Sequence, residues 1–207
     1  MKKHLIAVLT LTFGCAALAA HADTISGSLS VYGNDTFTSS TITFEPNSSM
    51  VTGTIGGDFA TYLADGDAVT FLPGALPYSQ GTNISAPGGE LADFASVSGT
   101  NETIAFNLTS YSAAYITNGT EGCGVDSTCL TVTGDGFFTG TGSVDGTSGP
   151  ATFTITSQYS PGQTSADITT FSASTSALAP TPEPAPLALV GTGLLGLAAL
   201  AKRARFV

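Results

Sequence analysis

From residue 22 to residue 201 the chain contains no Lys, no Arg and no His. The five basic side chains, Lys2, Lys3, Lys202, Arg203 and Arg205, and both histidines, His4 and His21, all lie in the two terminal segments. All fifteen Asp and Glu fall between those segments, so the interval carries a side-chain charge near −15, against −10 for the whole chain. Such a stretch has no ion pair to bury, so its fold must rest on apolar packing and hydrogen-bonded ladders. Partners are constrained in the same way. Nothing here can pair with phosphates, which excludes nucleic acid. Anionic membranes and anionic sugars are repelled at short range unless divalent ions intervene.

Within the interval Thr, Ser and Gly dominate, and apolar residues recur two apart rather than three or four. Ile25, Gly27, Leu29 and Val31 share one parity against Thr24, Ser26, Ser28 and Ser30, the pattern of a half-buried strand. Gly33-Asn34-Asp35 reads as a turn, followed by strands over 37–44, 50–55 and 59–63. Asp65-Gly66 reads as a hairpin turn into a strand over 68–72. Residues 73–89, with Pro73, Pro77 and Pro87, read as a long loop exposing Tyr78. Further strands are predicted over 91–97, 103–109, 111–116, 129–132, 137–144, 151–156 and 164–171, with Asp135-Gly136 as another turn. Short strands, hairpin turns and no amphipathic helix predict an all-β domain. The expected form is an antiparallel β-sandwich or jelly-roll-like domain, with a barrel-like roll as its variant. A β-solenoid would need a fixed repeat, and none is present.

The ends describe a route. Lys2 and Lys3, an apolar run over 5–19 and Ala20-His21-Ala22 form a signal peptide over 1–22, with cleavage between Ala22 and Asp23. A lipoprotein site at Cys15 is disfavoured by the Thr12-Phe13-Gly14 before it. The chain is therefore expected to meet the export machinery and a signal peptidase and to cross the inner membrane. In an oxidising compartment Cys123 and Cys129 are expected to form a local disulfide. After a β domain over 23–171, a Ser/Thr/Ala/Pro linker over 172–186 leads to an uncharged run over 187–201. Fifteen residues fall short of the roughly 20 that span a bilayer, and adding Ala185 and Pro186 reaches the lower limit. Read as a single transmembrane helix, the run ends on a basic cytoplasmic tail, residues 202–207.

Three ordered features of the last twenty-six residues carry a resemblance. The triplet Pro182-Glu183-Pro184, the short apolar run and the basic stop of Lys202, Arg203 and Arg205 resemble the PEP-CTERM sorting signal of exported proteins of Gram-negative bacteria. The resemblance implies that an exosortase, a membrane-embedded cysteine peptidase, recognises the triplet and removes the tail. It also implies a host that makes extracellular polysaccharide. The stretch 133–142 is similar to Gly/Thr-rich strand pairs of other such proteins.

Chemistry is narrowed by the missing residue types. Without His or Lys, a Ser-His-Asp triad, a Cys-His pair, a Ser-Lys dyad and a Schiff base are all excluded from the interval. Carboxylate chemistry is what remains. Glycoside hydrolysis needs two carboxyls about 5–10 Å apart, which Asp65 with Asp67, or Glu90 with Asp93, can supply; no aromatic-lined cleft is evident beside them. Asp65 and Asp67 are also the candidate calcium ligands, offering hard oxygens across a turn glycine, against the plain reading of ordinary turn acids. The expectation is a non-enzymatic protein of the cell surface or extracellular matrix, with no catalytic residue and no cofactor other than calcium. The alternative is a polysaccharide-binding module, calcium-dependent or not, with Tyr78, Tyr111 or Tyr115 as stacking platforms.

Overall fold

The structure, a computed structural model, describes residues 25–82, 84–117, 123–179 and 193–194. Asp23–Pro180 form one compact unit. The predicted signal peptide, the Pro-Glu-Pro triplet, the basic stop and all but two residues of the predicted transmembrane run lie outside the described residues. Among the described residues no helix is long and apolar enough to cross a membrane.

The protein is mostly β, and every strand pairing within its sheet is antiparallel. Eight strands close on themselves: β1 (Gly27–Phe37), β3 (Ser49–Gly57), β4 (Ala68–Phe71), β7 (Leu91–Ser98), β8 (Glu102–Thr117), β9 (Thr128–Gly142), β11 (Ala151–Tyr159) and β12 (Thr169–Ala177). The order around the barrel is β9-β11-β12-β1-β3-β4-β7-β8, and β8 pairs back to β9. Four short strands attach to this ring: β2 (Thr41–Phe44) on β1, β5 (Ala75–Pro77) on β2, β6 (Ile84–Ser85) on β8, and β10 (Gly146–Thr147) on β9. The expected sandwich or jelly roll gives way to one closed sheet. Alternation shows which residues point inward, but it does not say whether the first and last strands meet.

Eight strands leave an interior just wide enough for side chains to fill, and here rings fill it. Phe44 stacks on Phe71 at 4.1 Å, and Phe171 meets both edge-on. Phe94 joins this group to Phe153, and Phe106 and Phe138 carry the line of rings on to Phe59. A cavity of about 40 Å³ remains among them, lined by Phe71, Phe94, Phe106, Phe138 and Phe153 with aliphatic neighbours. That is water-sized, so the barrel is a packed core.

Several expected turns and loops are strands. Gly33-Asn34-Asp35 is the middle of β1, and Asp135-Gly136 the middle of β9. The glycines there make room for neighbours. A Cβ on Gly33 would fall 2.2 Å from Ser49 Oγ and 2.8 Å from the Phe171 ring, and one on Gly136 2.0 Å from Asn107 O. The expected linker starts too early, because β12 runs to Ala177 with both edges paired, to β1 and to β11. Its inward positions after Phe171 are Ala173, Thr175 and Ala177, too small to register as a hydrophobic stripe. The 73–89 stretch contains β5, β6 and a 3₁₀ turn, Pro87–Gly89.

The predicted strand over 59–63 is instead one helical turn, α1 (Phe59–Tyr62). Gly57 adopts φ +64 and lies against Gly27, where a Cβ would come within 2.7 Å of its Cα, so the strand must end there. Asp58 then fastens the corner: its Oδ2 accepts hydrogen bonds from Ser26 N and Ser26 Oγ, at 2.8 and 3.0 Å. The result buries Phe59 completely against Phe138.

Candidate functional site

The inward positions of β1 are Leu29, Val31, Gly33, Asp35 and Phe37. Asp35 is the exception among them, a carboxyl with no solvent exposure inside the barrel. Its Oδ1 accepts a hydrogen bond from Ser157 Oγ of β11 at 2.8 Å, while Oδ2 has no hydrogen-bond partner. Among the described residues Ser49 Oγ, packed against Gly33, is the other buried side-chain polar atom without one. Burial pushes the Asp35 carboxyl up to about 6, only partly offset by the Ser157 hydroxyl. A buried carboxylate is ordinarily matched by a cation, and residues 22–201 contain none.

Phenols surround the same end of β1. Tyr159 stacks on Phe37 at 4.1 Å, and its hydroxyl both donates to Phe37 O at 2.7 Å and accepts from Phe37 N at 2.8 Å. Tyr115 meets Phe37 edge-on at 6.1 Å. Tyr78 donates to Thr38 O, where β1 turns into β2, and Tyr111 donates to Pro77 O at 2.5 Å. Burial raises the pKa of Tyr78, Tyr111 and Tyr159, and the charge of Asp35 adds to the effect at Tyr78 and Tyr159. These hydroxyls pin backbone carbonyls.

The sequence's stacking platforms are thereby corrected. Tyr78 is 4% exposed and Tyr111 1%, so neither ring offers a face to a ligand, and Tyr115 is half-buried. The burial has a structural cause: a register shift between Leu108 and Ser110 moves the inward parity of β8 from Ile104, Phe106 and Leu108 to Tyr111 and Ala113, and Tyr78 follows β5, whose pairing with β2 draws the supposed loop onto the barrel.

Asp65 and Asp67 flank Gly66, as expected of a turn, and each carboxylate is engaged by backbone. Asp65 Oδ1 accepts from Gly53 N at 2.9 Å and Asp67 Oδ2 from Ala64 N at 2.7 Å. Among the described residues no group of three or more His, Cys, Asp or Glu converges in a way that could hold a metal ion. Cys123 and Cys129 are joined by a disulfide, with Cα atoms 5.8 Å apart, at the start of β9. Ala20, Ala22, Asp23, Pro182, Glu183, Pro184, Lys202, Arg203 and Arg205 lie outside the described residues.

Asp35 is the residue that sequence reading missed. Extending the parity of Leu29 and Val31 through Gly33 to Phe37 places it inside; reading Gly-Asn-Asp as a turn hides it. Chemically the cluster can exchange one proton near pH 6. It is closed to solvent and has no His or Lys with which to build a nucleophile. Comparison with protein-family models, with curated proteins and with solved structures finds no match to this chain.

Proposed function

We propose that the chain is an exported, non-enzymatic component of the cell surface or extracellular matrix. In this reading the β-barrel is the delivered module, and the last twenty-six residues are an address that an exosortase removes at Pro182-Glu183-Pro184. The observation that carries it is the segregation of charge: every cation sits in a terminal segment and none in the 180 residues between. Processing both ends would convert a chain of charge −10 into a domain near −15. A barrel filled by phenylalanines supports a structural role over carriage of a ligand in its lumen. The reading requires no cofactor. Its partners are the export machinery, the signal peptidase, the exosortase and, in transit, the inner membrane.

The test is the intact mass of the protein recovered from its native host. A C-terminus near Glu183, lost when Pro182-Glu183-Pro184 is replaced by three alanines, is the expected result. Mature protein that retains Arg205 would instead make the tail a plain membrane anchor.

A further inference from the structure

The barrel's outer face carries an array that the core and the tail leave unused. Ser112 of β8, Thr133 of β9, Thr154 of β11, Ser174 of β12, Ser30 of β1 and Thr52 of β3 are successive register partners, so a row of hydroxyls crosses six neighbouring strands. Thr152, Ser176 and Ser28 continue the array on one side of this row. Thr156, Ser172 and Tyr32 continue it on the other. All of these positions are exposed or half-exposed. Sheet geometry sets the spacing at about 4.8 Å across strands and about 7 Å along them. Two neighbouring pairs meet within the array: Ser112 Oγ lies 3.0 Å from Thr133 Oγ1, and Thr152 Oγ1 3.5 Å from Ser176 Oγ.

Two properties separate this wall from the rest of the surface. The first is charge. Asp135, beside Ser110, is the single acid within the rows, while Asp58, Asp65, Asp67, Asp126, Asp145 and Asp167 lie between strands. The second is Tyr32, among the described residues the one aromatic ring in the set of large exposed hydrophobic residues. It is 42% exposed, and its hydroxyl is held at 2.7 Å by Met50 Sδ.

We infer that the hydroxyl wall of β8, β9, β11, β12, β1 and β3 is a docking surface for an uncharged polysaccharide chain, with Tyr32 as its stacking ring. Hydroxyls both donate and accept, so rows of them can pair with a polyhydroxylated chain in either sense. A tyrosine ring gives a sugar face an apolar seat with a polar rim. Charge decides among partners. Anionic chains are repelled by a domain near −15, whereas a neutral chain meets a strip that is almost free of charge. A second copy of the protein fits less well, because protein interfaces draw on aromatic residues, Met and Arg and are depleted in Ser. The inference does not depend on removal of the tail, so it and the sorting proposal can fail separately.

The test is affinity electrophoresis of the protein made as the full chain in an exporting host. A mixed-linkage β-glucan, a galactomannan and dextran serve as uncharged probes, and alginate as the anionic one. At least one uncharged probe is expected to retard the protein and alginate not to. Tyr32→Ala should weaken retardation about tenfold, the scale of one stacking contact, and Tyr32→Phe should retain it. Thr154→Glu, which sets a charge in the central row, should abolish it. Melting curves check that each variant is folded, and if Thr154→Glu is not, the two Tyr32 variants decide. No retardation by any uncharged probe would overturn the inference. So would retardation unchanged by Tyr32→Ala, retardation by alginate alone, or an oligomer in sedimentation that Tyr32→Ala dissolves.

Discussion

The barrel has a strong side and a thin one. On the strong side β8 and β9 stay paired from Glu102–Gly142 to Thr117–Thr128, and β11 and β12 extend the same long ladders to β1. On the thin side β3 meets β4 at only two residue pairs, Ser49–Val69 and Met50–Ala68, and β4 meets β7 at three. What the thin side lacks in ladder it makes up with a turn and with side chains. Past Val51 the open edge of β3 is served by the turn: Val51 N donates to Asp67 O, Gly66 N to Val51 O, and Gly53 N to the Asp65 carboxylate. Phe71 and Phe94, from β4 and β7, supply the packing across the gap. A barrel without Lys, Arg or His can thus close a sheet in two ways, by backbone ladders where strands are long and by turn groups and rings where they are short.

The largest expected effect lies at the thin side. Phe94 is 3% exposed and touches Phe44, Phe71 and Phe153. Phe94→Ala should cost about 3–5 kcal/mol, read as a lower denaturant midpoint. Loss of barrel closure should show as fast hydrogen exchange in β4 and β7 while β8, β9 and β11 stay protected. Equal loss of protection around the ring would mean that the two sides unfold as one and that the contrast is only geometric.

The next effect belongs to the strong side, where β1 carries Asp35. The folded carboxyl titrates near 6 instead of the ordinary 3.8. Between those values the folded protein keeps a proton that the unfolded chain has released. Stability from this group is therefore complete below about pH 4, falls as pH rises and is lost above about 6, by about 3 kcal/mol in all. Asp35→Asn has no proton to lose. In urea titrations the stability difference between pH 4 and pH 7 should shrink by about that amount. An unchanged difference would assign the pH dependence to general repulsion among the other acids.

Much of this contrast could be read in the chain, and the part that could not has physical causes. Alternation located the start of β1 and the first half of β8, because each buries one apolar face, but it divided β8 and β9 in two, since a register shift follows Leu108 and Asp135-Gly136 resembles a turn. The compartment argument placed the disulfide of Cys123 and Cys129, now seen at the mouth of the β8–β9 ladder. The reading failed where glycine and small polar residues do two jobs. Gly33 and Gly136 resemble turn residues until a ring or carbonyl is seen in the place of their missing Cβ. Ser172–Ala177 has the composition of a linker, yet it forms a barrel strand because both neighbouring strands take up its backbone groups. Tyr78 and Tyr111 were the conspicuous rings in the sequence, but their hydroxyls reach carbonyls inside, and Tyr32 is the ring left outside. Closure itself has no local signature, since it depends on β8 finding β9.

The smallest effect bears on the two turn acids. If Asp65 stands in for a missing strand carbonyl, Asp65→Ala should cost about 1 kcal/mol, the net worth of one such hydrogen bond. It should also raise the exchange rate of the Gly53 amide specifically. Thr154→Ala, on the outer face of the strong side, should stay within about 0.5 kcal/mol. Calcium separates this role from ligation. Melting temperatures measured in calcium and in chelator should agree for the wild type and for Asp65→Ala if the carboxylate answers only to backbone. A calcium-dependent rise in the wild type that Asp65→Ala removes would instead assign the turn to a metal, and the thin side of the barrel would then be closed by an ion.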